Sequence, residues 1–248
     1  MDVTFLGTGS AMPTGERFQT GLVLTNADAR LLLDCGSGVL QRLEQYGPGY
    51  EAISTVLLSH HHLDHVADLM PLCKARWLAG ETELTVAGPE GTATLVENLF
   101  ETHAYMQDRL DVTVQELTPG KHTVGGFALE AMATDHSMPT LAYRFGNQFV
   151  FGADSAPTES LAAFFDEVAV GVHDCSFPDG VDVSNHPTPS GLAEVFDAAA
   201  PDLGRLYLTH FYPHAEGQAD TMADAVAEAT GIDVRPARDG LSVSITPR

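Results

Sequence analysis

A short segment rich in histidine constrains this chain more than any other feature. Residues 56–70 read Val-Leu-Leu-Ser-His-His-His-Leu-Asp-His-Val-Ala-Asp-Leu-Met, which predicts an apolar strand followed by a turn and a helix. Because side chains alternate along a strand, His60 and His62 at its end point to the same side. Asp64 and His65 open the helix, where their side chains can diverge toward a second cation. The H-x-H-x-D-H spacing therefore predicts a site for two metal ions.

The alternative interpretation of this segment is a group of surface histidines in a loop. Three histidines and a carboxylate at such close spacing favour the metal site over that alternative. His61 alternates away from its neighbours, so we expect it to lie behind the ligands or at the surface. Imidazoles and carboxylates without thiolates suit zinc, with manganese or iron as the other candidates.

The net charge of the chain is strongly negative. Thirty-four aspartates and glutamates face 12 basic residues, for a formal charge of −22, and only Lys74 and Lys121 are lysines. Such self-repulsion weakens a compact fold unless salt screens it, and at 1 M salt the Debye length is about 3 Å. The composition is typical of a haloarchaeal cytoplasmic protein. The alternative, an acidic mesophilic protein, rarely loses nearly all its lysines.

Composition also limits the class and compartment of the protein. Hydrophobic residues make up 44% of the chain, which excludes a disordered polyanion. The apolar runs are too short to span a bilayer, and no secretory signal pattern opens the sequence. Cys35, Cys73 and Cys175 are odd in number and lack C-x-x-C spacing, which favours reduced thiols. We therefore expect a cytoplasmic protein that does not enter a membrane.

Strand-like and helix-like segments alternate along the chain without a linker or a repeat. This alternation predicts an α/β sandwich covered by helices, built as one domain over residues 1–248. Glycine and proline cluster in predicted loops at residues 7–15, 47–49 and 177–189. Helical patterns are predicted at residues 38–45, 64–78, 91–105, 158–165, 189–200 and 220–229.

Three further motifs resemble those of a known family. They are Phe-Leu-Gly-Thr-Gly-Ser-Ala-Met-Pro-Thr at 5–14, Leu-Leu-Leu-Asp-Cys-Gly-Ser-Gly at 31–38, and Ala-Gly-Pro-Glu-Gly at 87–91. With the histidine segment, they are similar to the metallo-β-lactamase superfamily, in particular its branch of tRNase Z and related phosphodiesterases. The resemblance extends over nearly the whole chain and implies the four-layer αββα sandwich of that superfamily.

The resemblance also implies the remaining site residues. His136, in Thr-Asp-His-Ser, matches the third histidine of the first metal site, and His210, in Leu-Thr-His-Phe, matches the last histidine of the second. Asp154, in Gly-Ala-Asp-Ser, matches the carboxylate that bridges both ions. His186, in Ser-Asn-His-Pro, resembles the histidine that assists leaving-group departure. No ligand role is predicted for the remaining histidines, which are His103, His122, His173 and His214, although His173 and His214 are placed near the site.

The resemblance implies a dinuclear zinc hydrolase in which a hydroxide shared by the ions is the nucleophile. His60, His62 and His136 would hold one ion. Asp64, His65 and His210 would hold the other, and Asp64 would also orient or deprotonate the attacking water. His186 would protonate the leaving oxygen.

The sequence departs from tRNase Z in ways that bear on the substrate. The family's usual arm between the equivalents of His136 and Asp154 is absent, because these residues lie only far enough apart for two strands. Its Arg-Tyr pair after the final histidine is replaced by Tyr212-Pro213-His214. No basic patch offsets the charge of −22, as phosphate-tracking proteins usually require. The leading expectation is a phosphodiesterase for a small or flexible phosphodiester, such as a cyclic nucleotide or an oligonucleotide.

Other functions remain open from the sequence. One is tRNA 3′-end processing without the arm, and another is hydrolysis of a lactone or thioester, because a fold does not fix a substrate. A metal-binding regulatory or scaffold protein is a third, which the intact set of ligand positions argues against. Binding of nucleic acid is left open but is not favoured by the charge. A homodimer is compatible with the sequence, and a membrane partner is not expected.

Overall fold

Two seven-stranded sheets form the centre of the protein. The computed structural model describes residues 1–27, 29–181 and 185–246. The first sheet contains β1 (Asp2–Gly7), β2 (Gly21–Asn26), β3 (Ala29–Leu33), β4 (Thr55–Leu57), β5 (Glu83–Gly88), β6 (Asp111–Glu116) and β14 (Ser242–Ser244), in the order β14-β1-β2-β3-β4-β5-β6. The second contains β7 (Gly120–Val124), β8 (Phe127–Ala133), β9 (Leu141–Phe145), β10 (Phe149–Phe151), β11 (Val168–Asp174), β12 (Leu203–Thr209) and β13 (Val234–Pro236), in the order β13-β12-β11-β10-β9-β8-β7.

Each sheet has an antiparallel part and a parallel part. In the first sheet, β14, β1, β2 and β3 pair antiparallel, and β3 to β6 pair parallel. In the second, β7 to β10 pair antiparallel, and β10 to β13 pair parallel. Parallel neighbours require crossover connections, which here are mostly helical. The helices are α1 (Val39–Tyr46), α2 (Leu63–Val66), α3 (Leu69–Ala79), α4 (Thr92–Thr102), α5 (Glu159–Phe164), α6 (Pro189–Ala199) and α7 (Ala219–Thr230).

The buried core has three parts, which lie between four successive layers: helices, first sheet, second sheet and helices. Alternation along β3 sends Leu31 and Leu33 into the cluster between the sheets, with Phe5 and Phe149, and sends Leu32 into the cluster under α1 to α4. A third cluster fills the space between the second sheet and α5 to α7. Strands buried on both faces read as continuous apolar runs. The predicted αββα sandwich is confirmed.

The structure corrects the predicted helix at residues 64–78. It is two helices, α2 and α3, separated at residues 67–68. Asp68 explains the break, because its backbone N–H donates to Cys35 O at 2.9 Å and its carboxylate accepts from the backbone N–H groups of Gly38 and Leu40 at 2.8 and 3.0 Å. These bonds replace the next helical turn and leave α2 as a single turn beside the histidines.

Two further sequence interpretations need comment. Strand β7 was not predicted, because Gly-Lys-His-Thr-Val is mostly polar and, at the edge of the second sheet, all of it except Val124 is at least partly exposed. The predicted helix at 91–105 ends at Thr102 and is followed by a 3₁₀ turn at Ala104–Met106. Part of the predicted loop at 177–189, namely residues 182–184, lies outside the described residues. Within the described part of the chain, no helix has the length and apolar character needed to span a bilayer.

The two sheets are joined by direct hydrogen bonds beside the end of β4. The backbone N–H of Leu141 donates to Ser59 O at 3.0 Å, and the Tyr143 hydroxyl donates to Leu58 O at 2.7 Å. Burial raises the pKa of Tyr143 well above its usual value, so its phenol stays a donor. These bonds fix the first-sheet histidine segment against the second sheet.

Candidate metal centre

The histidine segment occupies the turn after β4 and the helix α2, where it meets a loop of the second sheet. His60 Nε2 lies 3.0 Å from His62 Nδ1, and His136 Nε2 lies 3.2 Å from the same atom. His60 is fully buried, whereas His62 and His136 are partly exposed. Burial lowers the pKa of all three imidazoles, that of His60 well below its usual value. We name these three neutral histidines, which each offer a nitrogen within 4.8 Å of the others, the open group.

A second group lies deeper and includes a carboxylate. His210 Nε2 is 3.0 Å from Asp64 Oδ2, and His65 Nε2 is 3.8 Å from the same oxygen. All three side chains are buried. Burial raises the pKa of Asp64, but the hydrogen bond from His210 and the charges of His65 and His210 lower it overall. We name Asp64, His65 and His210 the buried group.

Asp154 stands between the two groups. Its Oδ2 lies 3.1 Å from His210 Nε2 and 3.3 Å from His65 Nε2 in the buried group, and 3.9 Å from His60 Nε2 in the open group. Burial, the largest influence, raises the pKa of Asp154, but the facing histidines together hold it well below its usual value. An ionised carboxylate thus faces histidines of both groups. The structure brings together all seven side chains predicted as ligands.

Hydrogen bonds behind the histidines orient them toward this centre. Ser59 has one hydroxyl proton, which it donates to Asp34 Oδ2 at 2.7 Å, so it accepts from His60 Nδ1 at 3.0 Å. His65 Nδ1 donates to Asp34 Oδ2 at 2.8 Å. Both rings therefore present an Nε2 lone pair to the centre when neutral. His65 Nε2 is buried without a hydrogen-bond partner among the described residues.

This arrangement fits divalent cations. Buried imidazole nitrogens without donors and ionised carboxylates are the ligands that such ions use. Burial lowers the pKa of His65, but the charges of Asp154 and Asp34 raise it well above its usual value overall. The carboxylates around His65 thus favour a positive charge at this position. A bound cation would supply that charge in place of the second imidazole proton of His65.

Comparison with known proteins identifies the family. The family model described as "Anti-Pycsar protein Apyc1" matches residues 1–225 of the chain. The chain belongs to this Apyc1 family. It is also 31% identical to the ribonuclease Z of Mycolicibacterium gilvum, over 89% of this chain and 87% of that protein. The ribonuclease Z of Mycobacterium marinum is 32% identical over 86% of this chain and 87% of its own length.

Solved structures place this Apyc1-family chain in the metallo-β-lactamase superfamily, as predicted. The metallo-β-lactamase fold protein YhfI from Bacillus subtilis superposes with a TM-score of 0.83 at 25% identity, covering 98% of both chains. The short form of human tRNase Z, ELAC1, superposes with a TM-score of 0.79 at 22% identity, covering 99% of this chain and 100% of that one. With the ribonuclease Z relatives, they confirm the tRNase Z-like branch. The chain is a metal-dependent hydrolase.

One landmark of this Apyc1-family chain, the loop after β3, supplies the support behind the histidines. Asp34 is fully buried, and besides His65 and the Ser59 hydroxyl it accepts from the Ser59 backbone N–H at 2.7 Å. A Cβ added at Gly36 would lie 2.1 Å from the Asp64 backbone oxygen, so only glycine lets this loop pack against α2. Asp34 was not predicted to have a role at the site. An aspartate that ends an apolar strand beside a glycine was the available indication.

His186 lies at the centre, as the resemblance implied. Its ring stacks on His210 with centroids 5.2 Å apart and lies 5.3 Å from the ring of His136. Its Nδ1 is 2.9 Å from Asp174 Oδ2. Burial lowers the pKa of His186, but the hydrogen bond and charge of Asp174 raise it overall. Ser176 Oγ lies 3.1 Å from His210 Nδ1 and 3.3 Å from His186 Nδ1.

Asp174 and Ser176 were missed by the sequence analysis. Asp174 ends β11 and is fully enclosed, with the imidazoles of His173 and His186 each 2.9 Å from its carboxylate. Its own pKa is raised by burial but lowered overall by hydrogen bonds from these histidines. Because the contact to His186 reaches a different part of the chain, no local ligand spacing in the sequence indicates Asp174. The ring of Tyr212, in the segment that replaces the family's Arg-Tyr pair, also borders the centre.

The other histidines lie outside the ligand set. His61 Nε2 is 2.9 Å from Thr92 Oγ1, and its backbone N–H donates to Met138 Sδ at 3.4 Å, so its partly exposed ring contacts the start of α4 and not the ligand cluster. His173 packs against Phe165 and next to Asp174, so its predicted nearness to the site is correct.

Burial raises the pKa of the three free cysteines, which are Cys35, Cys73 and Cys175.

Left-handed backbone marks the strand ends that supply the centre. Asp34, Ala153 and His210 have φ angles of 60°, 58° and 59°. Such conformations cost non-glycine residues about 1–3 kcal/mol each and persist only where packing enforces them. Ala153 precedes Asp154, His210 is itself a predicted ligand, and Asp34 accepts a hydrogen bond from His65 behind the cluster.

Proposed function

We propose that this chain hydrolyses phosphodiesters with two divalent cations, which we infer to be zinc, held by its seven converging side chains. His60, His62 and His136 would hold one ion, and Asp64, His65 and His210 the other, with Asp154 between them. The observation that carries the proposal is the convergence of these atoms around Asp154, with imidazole nitrogens turned inward by hydrogen bonds from behind. Imidazole and carboxylate ligands suit zinc, and manganese or iron would fit the same atoms.

Bound divalent cations lower the pKa of water and neutralise negative charge on a phosphoryl group. Asp64, whose Oδ2 meets His210, would orient the attacking water with its carboxylate. His186 would supply the proton for the leaving oxygen. Its Nδ1 donates to Asp174 Oδ2, which leaves Nε2 as the atom that would carry the transferable proton. The raised pKa of His186 keeps that proton in place at higher pH than in a free imidazole.

The substrate that we favour is a small or flexible phosphodiester, such as a cyclic nucleotide or a short oligonucleotide. Between His136 and Asp154 the chain forms only the β9–β10 hairpin, which leaves no arm to grip a large RNA. A formal charge of −22 disfavours a long polyanion. Small substrates avoid this repulsion, because they contact the centre and little else.

A second candidate is processing of precursor tRNA. The observation in its favour is the 31% identity to a protein named ribonuclease Z over most of both chains. High salt would weaken the repulsion between RNA and an acidic surface, although it weakens phosphate contacts as well. Cleavage of precursor tRNA in molar KCl therefore tests it directly.

One substrate screen separates these functions. The purified chain is assayed in molar KCl, with added zinc or manganese, against bis(p-nitrophenyl) phosphate, cyclic nucleotides, single-stranded RNA, precursor tRNA and a lactone. We expect turnover of the small phosphodiesters that Asp154→Asn removes and that the exposed neighbour variant Asp135→Asn keeps. Hydrolysis of the lactone alone would overturn the proposal, and cleavage of precursor tRNA alone would favour the second candidate.

Several features of the sequence remain predictions beside this proposal. They are a single domain over residues 1–248, a haloarchaeal and cytoplasmic origin, and two metal ions per chain. Elemental analysis of protein prepared without chelator tests the last of these. A value near two equivalents supports Asp154 as a shared ligand, and a limit of one after metal addition contradicts it.

A further inference from the structure

Tyr212 lies at the edge of the metal centre and has no role in the proposed function. Its ring stacks on Phe177 with centroids 4.4 Å apart and an interplanar angle of 24°. The same ring makes edge contacts with His186 at 5.7 Å and with His210 at 5.6 Å. Its backbone N–H donates to Ser176 O at 3.1 Å. Tyr212 is therefore held in place by the residues that border the leaving-group histidine.

The phenol of Tyr212 is free to bind a ligand. The residue is half-buried, and its hydroxyl makes no hydrogen bond within residues 1–27, 29–181 and 185–246. It lies within electrostatic reach of the carboxylates of Asp64, Asp154 and Asp174, which surround the place where the substrate would react. A buried or half-buried hydroxyl usually finds a partner. The Tyr212 hydroxyl, without such a partner among the described residues, is therefore available to a ligand bound beside His186 and His210.

We propose that Tyr212 is a specificity-determining residue whose phenolic O–H donates a hydrogen bond to a non-bridging phosphoryl oxygen of the substrate. The inference rests on the proposed phosphodiesterase function. Stacking on Phe177 fixes the ring plane, so the hydroxyl is positioned before the substrate arrives. A preorganised donor loses little conformational freedom on binding.

A neutral donor suits this protein better than a basic side chain. The chain has only 12 arginines and lysines, and no contact from any of them to the ligand cluster is seen among the described residues. Molar salt screens ion pairs at the surface, but it weakens a short hydrogen bond between neutral and charged groups much less. Tyr212 would thus recognise an anionic oxygen without adding a charge that its three neighbouring carboxylates would bind first.

The test compares Tyr212→Phe with Tyr105→Phe, which removes an exposed phenol elsewhere on the molecule. Inorganic phosphate serves as the probe, by calorimetric titration of metal-loaded protein and by inhibition of bis(p-nitrophenyl) phosphate hydrolysis. We expect Tyr212→Phe to weaken phosphate binding and to raise KM about tenfold, with a smaller change in kcat, since one hydrogen bond to a charged group is lost. The metal content and melting temperature of Tyr212→Phe should match those of the wild type. The Tyr105→Phe variant should match the wild type in every measurement.

Phenylalanine keeps the stacked ring, so a purely structural role predicts unchanged phosphate affinity in Tyr212→Phe, and that result would overturn the inference. Tyr212→Ala then serves as the second variant: it should lose at least as much affinity as Tyr212→Phe. A loss seen only in Tyr212→Ala would assign the residue to packing. If the wild type hydrolyses no phosphodiester but still binds phosphate more tightly than Tyr212→Phe, the proposed function fails while the donor role of Tyr212 stands.

Discussion

The open group and the buried group draw on the two sheets in the same proportion but differ in charge and exposure. Each takes two side chains from the segment after β4, in the turn for the open group and in α2 for the buried group, and one from a loop that follows a strand of the second sheet. The open group is three neutral imidazoles, two of them partly exposed. The buried group includes Asp64 and has Asp34 directly behind His65. This difference teaches that the two positions are not equivalent, and that the buried group should bind its cation first and release it last.

The largest effect is expected at Asp154, because this residue faces both groups and is common to them. Asp154→Asn removes the shared charge, so we expect less than two equivalents of metal and a fall in turnover of at least about 10³-fold. Elemental analysis and steady-state kinetics measure the two results. Asp135→Asn, beside His136 but exposed, is the matched control. Two full equivalents in Asp154→Asn would show that the groups bind their ions independently.

The next effect separates proton transfer from metal binding on the side of the buried group. His186→Ala should lower turnover about 10²- to 10⁴-fold with metal content intact, because a general acid is lost and no ligand is. His122→Ala, far along β7, is the control. Loss of metal from His186→Ala would move this histidine into the ligand set.

The pH profile sharpens the same assignment. An acid must be protonated to act, so activity should fall as pH rises through the pKa of His186, which Asp174 raises. Asp174→Asn removes that charge, lowers the pKa and should move the high-pH limb of kcat/KM to lower pH. The limb is read from rate measurements across the neutral range, at fixed metal saturation. An unmoved limb would assign it to another group.

A moderate effect is expected from the support behind the first-sheet histidines. Asp34→Asn keeps the shape of the residue but weakens the bonds to His65 and Ser59, so metal affinity should fall about 10- to 100-fold. The loss should be larger for the ion of the buried group, where Asp34 contacts a ligand directly. Asp111→Asn, which changes an exposed carboxylate at the start of β6, is the control. Competition with a chelator, followed stepwise, resolves the two ions.

The smallest effect on the centre is expected from salt. Exposed carboxylates repel one another in dilute buffer, so melting temperature should rise with KCl, by about 2–4 °C for each kcal/mol of repulsion removed. Affinity for the ion of the buried group should change least, because the Asp64 carboxylate is buried beside histidines and not exposed to salt. Melting curves and metal titrations from low to molar KCl test both statements. A flat melting profile would remove the halophilic interpretation of the charge.

The sequence predicted the first-sheet part of the centre directly and the second-sheet part only through family resemblance. His60, His62, Asp64 and His65 are neighbours in the chain, so their spacing carries the information. His136, Asp154 and His210 come from separate strand ends, and no local pattern links them. Asp34, Asp174 and Ser176 escaped prediction because they contact histidines and not the proposed ions. Sequence spacing can reveal ligands that lie close together in the chain. Residues that hydrogen-bond to the ligands from behind are brought there by tertiary packing, which leaves no local pattern.

The fold was predicted at the level of layers but not at every element. Apolar runs such as β3 and β4 are buried on both faces and stand out in the sequence. Polar edge strand β7 does not, because four of its five residues are at least partly exposed. The break between α2 and α3 was also invisible, since Asp68 ends the helical turn through bonds to a loop far away in sequence.

Hydrogen bonds from β9 to the residues that follow β4 join the two sheets beside the metal centre. We therefore expect metal binding to stabilise the contact between the sheets. A cation held by ligands from both sheets stabilises only the closed arrangement, by about 2.7 kcal/mol at a hundredfold excess over its dissociation constant. The amide proton of Leu141, bonded to Ser59 O, exchanges with solvent only when this seam opens. Its exchange rate should therefore fall as metal is added, while amides at the polar edge of β7 keep theirs. Metal binding at the centre and closure of the contact between the sheets would then occur together, and exchange of the Leu141 amide proton would report both.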